Sequence, residues 1–264
     1  MKKIISILML LFICSNVLFS QNENKQSDSL SNKFDKKNLT AYVYGSDSHG
    51  TTVSIDENND LVFVKIIDNL NMSKDDIYKR AFSYFVYKYK DAKSVIQQQD
   101  KEAGIIIGKG YFGDFHCSIE KYKMMGVDLT TYDYYNANHL LRIDIKDNRA
   151  RLILTITNYE VRRSVSGTSF LAGTTSMNPN ITNTKKIVDC APIDTSTVEE
   201  RINRELGSTK VSKSVRKNME ISVQSLKESE KKAFLPLCKI GATTLMDLEK
   251  VLREGNTSSE SENW

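Results

Sequence analysis

The sequence predicts an α+β fold, in which a strand and a helix precede four antiparallel strands (the order β-α-β-β-β-β) and helices follow. Three observations support it: a capped helix start at Ser73, two alternating strands around the turn at 147–148, and helical periodicity beyond Ser196. With 264 residues, 40% of them hydrophobic and only 3 prolines, the chain is neither collagen-like nor wholly disordered.

Residues 1–20 have the pattern of a cleaved signal peptide. Lys2 and Lys3 precede an apolar run shorter than the roughly 20 residues of a transmembrane helix, and a polar segment follows. A lipoprotein leader ending at Cys14 is the less favoured alternative, because the two residues before it are bulky. We therefore expect an exported protein, periplasmic or extracellular, with no transmembrane span in the mature chain.

Removal of this leader changes the charge and the cysteine count. The formal charge of +4 falls to +2, because Lys2 and Lys3 leave with no acidic residue. A net charge this close to zero does not indicate a nucleic-acid partner. Cys117, Cys190 and Cys238 remain, so a monomer can hold one disulfide at most, and the spacing does not decide whether Cys190 pairs with Cys238.

Composition divides the mature chain into five predicted segments. Asn, Asp, Ser and Lys dominate the first, which includes one short strand at 39–44, whereas Gly, Ser, Thr and Asn dominate the third. The predicted order is a polar linker at 21–58, a folded domain at 59–160, an insertion loop or hairpin extension at 161–190, a helical C-terminal region at 191–254 and a disordered tail at 255–264.

The folded domain is predicted to begin with a strand and a helix. β-branched and aromatic residues are dense over 61–67, which is typical of a strand. Ser73 then stands at the N-cap with Asp76 three residues later, and Met72 is placed to pack against the first turn. Aromatic residues recur at helical spacing through about Tyr89, which indicates a buried face rather than a ligand site.

Two hairpins follow. Residues 100–104, which close on a glycine, connect strands at 94–99 and 105–119. In the second hairpin the turn at 147–148 sets a register in which apolar residues face apolar residues and an acid faces a base. The predicted pairs are Ile145 with Ala150, Asp144 with Arg151, Ile143 with Leu152 and Leu141 with Leu154.

Three helical stretches are predicted in the C-terminal region. Ser196 and Glu199 have the spacing of a capping box, and Gly207 ends this first helix. A third helix runs over about 244–254 and ends at Gly255. The second, between them, rests on an apolar stripe of Val215, Met219, Val223 and Leu226.

Several segments resemble a known family, the Bacteroidetes-type secreted proteins that carry the domain of unknown function 4468 (DUF4468). The likeness covers about residues 61–160 and lies in the aromatic helix and in four short runs: Met72-Ser73-Lys74-Asp75, Ser94-Val95-Ile96-Gln97, Asp100-Lys101-Glu102-Ala103-Gly104 leading to Ile107-Gly108-Lys109-Gly110, and Ile145-Lys146-Asp147-Asn148-Arg149. The resemblance implies a TBP-like fold, a curved antiparallel sheet with helices packed on one face, and no assigned activity. The insertion and the long helical C-terminal region depart from the family's pattern.

Residues 108–113, Gly-Lys-Gly-Tyr-Phe-Gly, match the dinucleotide-binding pattern GxGxxG as a string but predict no nucleotide site. That motif opens a helix whose N-terminus receives the phosphates, whereas here the strand pattern continues from Asp114. We expect glycines that let the sheet bend or bulge, and no cofactor.

Cys117 is the candidate nucleophile. His116 would point to the opposite face of a strand, but His139 on a later strand could approach the thiol. With only 3 histidines and no close Cys/His spacing, no metal site is predicted. A small hydrolase using Cys117 is therefore one alternative function, and a carrier of an apolar ligand between the sheet and a C-terminal helix is another.

The candidate partner surface is the polar side of the second hairpin, which carries Arg142, Asp144, Arg149 and Arg151. The simpler interpretation, which the pattern favours, is the solvent face of a half-buried sheet. The basic stretch at 210–217 is likewise typical of a solvated helix face. The predicted function is a non-enzymatic binding or scaffolding module of the cell envelope, with an envelope protein or a small ligand as its partner.

Overall fold

Alternating apolar and polar residues around the turn at 147–148 form two long strands, and the other elements assemble around them. The computed structural model describes residues 39–44, 49–89, 91–124, 127–169, 173–190 and 192–255, so the predicted leader and nearly all of the predicted tail lie outside the described residues. The elements are α1 (Thr40–Tyr44), β1 (Thr51–Ile55), β2 (Leu61–Ile67), α2 (Lys74–Lys88), α3 (Ala92–Val95), β3 (Ile96–Asp100), β4 (Ile105–Met124), β5 (Val127–Lys146), β6 (Arg149–Ser169), β7 (Gly173–Lys186), a 3₁₀ turn (Ile187–Asp189), α4 (Val198–Leu206) and α5 (Lys213–Glu254).

The strands form one antiparallel sheet in the order β1-β2-β6-β5-β4-β3, with β7 also paired to β6. β6 changes partner along its length, from β2 at 150–156 to β7 at 158–169. Register shifts in the β4–β5 and β5–β6 ladders fall at this change. We call the part of the sheet on the turn side the near half (β1, β2, β3, 105–112, 139–146 and 149–156) and the rest the far half (116–124, 127–138, 158–169 and 173–186).

The predicted register of the β5–β6 hairpin is confirmed at all four predicted pairs. Asn148 in the turn adopts a φ of 61°, a left-handed conformation that asparagine tolerates. The same turn holds the start of α2, because Asp147 Oδ1 accepts a hydrogen bond from the backbone nitrogen of Lys74 at 2.8 Å. The turn therefore sets the strand register and also positions the helix.

Helix α2 begins where the sequence predicts. Ser73 Oγ accepts a hydrogen bond from the backbone nitrogen of Asp76 at 3.2 Å, which satisfies a free donor of the first turn. Tyr78, Tyr84 and Phe85 of the predicted aromatic face are buried in the core.

Helices α2 and α5 cover one face of the near half. Leu61, Phe63 and Ile67 of β2 are almost fully buried on that face. Helix α5 passes so close to the sheet that a Cβ atom at Gly241 would lie 2.8 Å from the Phe63 ring. The glycine thus permits the close approach.

The segment predicted as a polar linker contains an additional strand and helix. Residues 40–44 form α1, not a strand, and β1 pairs with β2 at the edge of the sheet. Leu39 and Val53 are each 1% exposed, and the backbone nitrogen of Leu39 donates to the carbonyl of Val53 at 2.8 Å. The linker prediction is therefore wrong here, because the few apolar residues of this segment are buried through pairing with β2 and contact with the core, which a polar composition does not reveal.

The insertion predicted at 161–190 is a hairpin extension, since β6 continues to Ser169 and pairs with β7. Its Thr, Ser and Asn residues pair through the backbone without apolar alternation, so the sequence pattern could not separate a hairpin from a loop.

The C-terminal region holds two helices rather than three. The capping box lies one residue later than predicted, with Thr197 Oγ1 accepting from the backbone nitrogen of Glu200 at 3.1 Å. Gly207 and Gly255 end the two helices as predicted. The second and third predicted helices are one helix, α5, despite Pro236 within it. Its apolar face continues through the predicted gap at Ala233, Phe234, Leu237 and Cys238.

Candidate functional site

The near half has one face that the described helices leave uncovered. Along β2 the buried residues alternate with partly exposed ones, and Ile66 is 46% exposed. Because strand residues alternate between faces, the paired strands extend this surface across the sheet. We call it the open face: Val62, Val64 and Ile66 of β2, Arg149, Arg151 and Ile153 of β6, Leu140, Arg142, Asp144 and Lys146 of β5, and Ile105, Ile107, Lys109 and Tyr111 of β4.

Three of the four predicted site residues form one cluster, in which Arg142 and Arg151 both contact the carboxylate of Asp144. Asp144 accepts hydrogen bonds from Arg142 Nε at 2.7 Å and from Arg151 Nε at 2.8 Å. Partial burial acts to raise the pKa of Asp144, but the two arginines outweigh it and hold the pKa of this carboxyl below its ordinary value. Asp144 is therefore an ionised anchor that orients two guanidinium groups.

The fourth predicted residue, Arg149, lies at the rim of the same face. Its Nε pairs with Asp68 at 2.8 Å. Together with Ile66, Asp144, Lys146 and Arg151 it lines a shallow depression of about 260 Å³, at the end of the sheet nearest the turn, with three cationic groups against one carboxylate. The open face thus ends in a basic depression with an apolar residue inside it.

The apolar part of the open face was not predicted. Ile66 and Tyr111 are 46% and 52% exposed, and Val64, Ile107 and Ile153 lie between them. The signal was present in β2, whose apolar residues run along both faces of the strand although only one face is covered. A strand that is apolar on both faces indicates either a buried strand or an exposed apolar surface.

The GxGxxG string lies inside β4, in agreement with the strand prediction. Two of its glycines are explained by the rings packed against them. A Cβ atom at Gly108 would overlap Phe85, and one at Gly110 would overlap His139. Only the third glycine, Gly113, lies at the irregular stretch of the β4–β5 ladder. Two of the three glycines therefore admit aromatic rings, which differs from the predicted bending role.

Cys117 and His139 are not brought together. Cys117 pairs with Tyr134 across the β4–β5 ladder, whereas His139 pairs with Gly110. Five residues of β5 separate those positions, about 17 Å at ~3.4 Å per residue. Burial, and then Asp133 and Asp114, raises the pKa of the Cys117 thiol, which opposes nucleophilic activation. The hydrolase alternative, which requires His139 close to the Cys117 thiol, is therefore not supported.

His139 is a core residue on the covered face. It is 4% exposed, its Nε2 lies 2.8 Å from Tyr89 Oη, and its ring stacks on Phe112 with centroids 3.9 Å apart. Burial, with a smaller contribution from Lys88, lowers its pKa to about 4. The imidazole is therefore neutral near pH 7.

A group of buried charges, which was not predicted, lies between the far half and the C-terminal helices. Glu230 of α5 is fully buried and pairs with Arg201 Nη1 at 2.9 Å and with Lys185 Nζ at 2.8 Å. Tyr159 Oη donates to the same carboxylate at 3.1 Å, and Arg201 also pairs with Asp194 at 2.9 Å. These contacts join β6, β7, α4 and α5, so the group is structural.

The sheet–helix interface gives the apolar carrier no support, because Phe63 and Leu154 pack directly against α5 at Gly241. Within the described ranges, no three His, Cys, Asp or Glu side chains are grouped as metal ligands. Among the described helices, none combines the length and the apolar character needed to cross a membrane.

Fold and surface together define a class: an α+β protein whose antiparallel sheet is covered by helices on one face and open on the other. The predicted family resemblance is confirmed over residues 63–160, which match the model of a domain of unknown function (DUF4468) with TBP-like fold. The predicted α+β, TBP-like architecture with C-terminal helices is likewise confirmed. The match indicates no biochemical activity.

Two solved structures are similar in part. A DUF4468 family protein from Bacteroides ovatus aligns at 16% identity and a TM-score of 0.31, over 78% of this chain and 96% of its own. A TBP-like protein from Parabacteroides distasonis aligns at 10% identity and a TM-score of 0.32, over 71% of this chain and 95% of its own. Both TM-scores are too low to support a structural or functional inference from either alignment. No curated protein matches the chain.

Proposed function

We propose that this protein is an exported, non-enzymatic binding module of the cell envelope whose open face binds a segment of another protein. The observation that carries the proposal is the exposure of Ile66 and Tyr111, at 46% and 52%, on a sheet face that no described helix covers. Large apolar side chains set among arginines are typical of protein interfaces.

The charges on the open face define the chemistry of the partner. Among the described residues, Arg142 and Arg151 pair with Asp144, and Arg149 pairs with Asp68. With Lys146 beside them, four cationic side chains stand against two carboxylates at this end of the open face, an excess of two positive charges. The matching segment would carry acidic side chains beside apolar ones. Complementary charges would speed association, and the apolar contacts at Ile66 and Tyr111 would supply most of the affinity.

Export from the cytoplasm is the second part of the proposal. It is supported by Lys2, Lys3 and the short apolar run that follows them. N-terminal sequencing of the mature protein is expected to begin at Gln21. A chain that begins at a lipid-modified Cys14 would establish the lipoprotein alternative instead, and an intact Met1 would contradict export.

Site-specific photo-crosslinking tests the binding surface. A photoreactive residue is placed at Ile66 or Tyr111, and at Tyr87 as the control, because Tyr87 is 65% exposed on α2 and lies off the open face. The two open-face positions are expected to crosslink the same acidic and apolar segment, which mass spectrometry of the crosslinked peptide identifies.

The charge contribution is tested in the same assay with Arg142→Ser/Arg151→Ser. This variant is expected to lower the crosslinking yield from Tyr111 while it leaves the melting temperature nearly unchanged. Equal yields from Tyr87 and from the open-face positions, or no specific partner at all, would overturn the proposed function.

A further inference from the structure

We propose that the chain's own C-terminal segment, residues 256–264, binds the basic depression at the end of the open face. The sequence of this segment is Asn-Thr-Ser-Ser-Glu-Ser-Glu-Asn-Trp, which holds two acidic residues, one aromatic residue and no basic residue. It has the acidic and apolar chemistry that the open face selects.

The point where the segment leaves the fold lies beside the depression. Helix α5 ends with Gly255 as its cap. Two contacts connect this end of α5 with the depression. Arg253 Nη2 donates a hydrogen bond to the carbonyl of Asp68 at 3.5 Å, and the Asp68 carboxylate pairs with Arg149 at 2.8 Å. Arg149 lines the depression.

The segment is long enough to pass from the covered face to the open face. Trp264 is nine residues beyond Gly255, and nine extended residues reach about 30 Å. Packed layers lie only about 10 Å apart, so the chain can pass the end of β2 and turn onto the opposite side of the sheet.

The charges of the two surfaces are complementary. Glu260 and Glu262 would meet Lys146, Arg149 and Arg151, which outnumber the one carboxylate in the lining of the depression, Asp144. Lys146 is exposed and makes no ion pair with any described residue, so it can accept a carboxylate without losing another.

The depression also suits a single aromatic side chain. Its volume of about 260 Å³ lies below the ~300–1,000 Å³ of small-molecule sites. Its lining combines the apolar side chain of Ile66 with the cationic groups of Arg149 and Arg151, beside the Asp144 carboxylate, and apolar surface next to a cation favours an indole ring. Trp264 is the occupant that this chain can supply.

Bound in this way, the segment would cover one end of the partner surface and compete with an external acidic segment. That regulatory consequence rests on the proposed function. Binding of the segment itself needs no partner and is measured on the isolated mature protein, so either proposal can fail without the other.

Trp264 is the sole tryptophan of the chain, so intrinsic fluorescence reports on this segment alone. We expect blue-shifted emission and protection from acrylamide relative to a free peptide of residues 255–264. Both effects are expected to disappear in Arg149→Gln/Arg151→Gln, in Glu260→Gln/Glu262→Gln and at high salt. The matched control Lys213→Gln/Lys217→Gln, on an exposed part of α5, is expected to keep them.

Three results would overturn the proposal. Emission and quenching equal to those of the free peptide would show that Trp264 is unbound. Protection that survives Arg149→Gln/Arg151→Gln would place it at another site. Protection that falls when the protein is diluted would assign the contact to a second copy of the chain.

Discussion

The two halves of the sheet bury their covered face in different ways. In the near half the buried side chains of the described strands are mostly apolar, with Thr51, Lys65 and His139 as the polar exceptions. In the far half, and on the helix packed against it, charged and hydroxyl groups are buried beside the apolar ones, among them Asp133 of β5 at 1% exposure and Glu230 of α5 at 0%. The near half is therefore held mainly by packing, with the pair of Lys65 and Glu249 as its buried ionic contact, whereas the far half depends more on buried charges keeping their partners.

The largest effect on stability is expected from a substitution that disrupts the buried charged group at the far half. Arg201→Met removes the buried cation that pairs with the fully buried Glu230 at 2.9 Å, and should lower the free energy of unfolding by about 3–5 kcal/mol. Urea unfolding measures it. The double variant Arg201→Met/Glu230→Met is expected to recover part of the loss, because the buried charge leaves with its partner.

The matched control is Lys231→Met, which removes an ion pair with Glu228 in which both side chains are about half exposed. Its effect should stay within about 0.5 kcal/mol. If Arg201→Met costs no more than this control, the far half does not depend on its buried charges, and the contrast between the halves fails.

The second effect concerns the buried histidine of the near half. An unfolded histidine protonates near pH 6.5, whereas the pKa of His139 in the fold is about 4. Between these values the unfolded state binds more protons, so stability decreases as the pH falls from 6.5 toward 4, by up to about 3 kcal/mol. Denaturant unfolding across this range measures the slope.

His139→Gln isolates that contribution. Burial, and then Lys232, also lowers the pKa of His116, which therefore adds to the slope in the same direction. The difference in slope between wild type and variant is assigned to His139. An identical pH dependence in both proteins would show that His139 does not titrate in this window.

The smallest effect compares two neighbouring hydroxyl groups at the start of α4. Thr197→Ala removes the observed cap and should cost about 1 kcal/mol in thermal or urea unfolding. Ser196→Ala should cost less, since the hydroxyl that caps α4 belongs to Thr197 and not to Ser196. The reverse order would place the helix start where the sequence spacing predicted it.

Sequence reasoning succeeded where one local signal determined the structure. The turn at 147–148 and the alternation around it fixed the register of β5 and β6, and Ser73 fixed the start of α2. It failed where a buried segment carried too few apolar residues to show a pattern. Strand β1 is apolar mainly at Val53 and is completed by Phe63 across the ladder.

The candidate site was predictable only in its charges. Arg142, Asp144 and Arg151 followed from the hairpin register, and the structure places them together. Ile66 and Tyr111 were not predicted, because their exposure depends on which face α2 and α5 cover, and neither periodicity nor turn chemistry states that.

Hydroxyl-radical footprinting of the native protein tests most directly whether the open face is accessible. Tyr111 lies on the open face at 52% exposure, Tyr87 on the outer side of α2 at 65%, and Tyr84 in the core at 4%. Tyr111 is expected to be oxidised at a rate close to that of Tyr87 and well above that of Tyr84. Protection of Tyr111 equal to that of Tyr84 would show that the open face is covered, which would contradict a partner surface there.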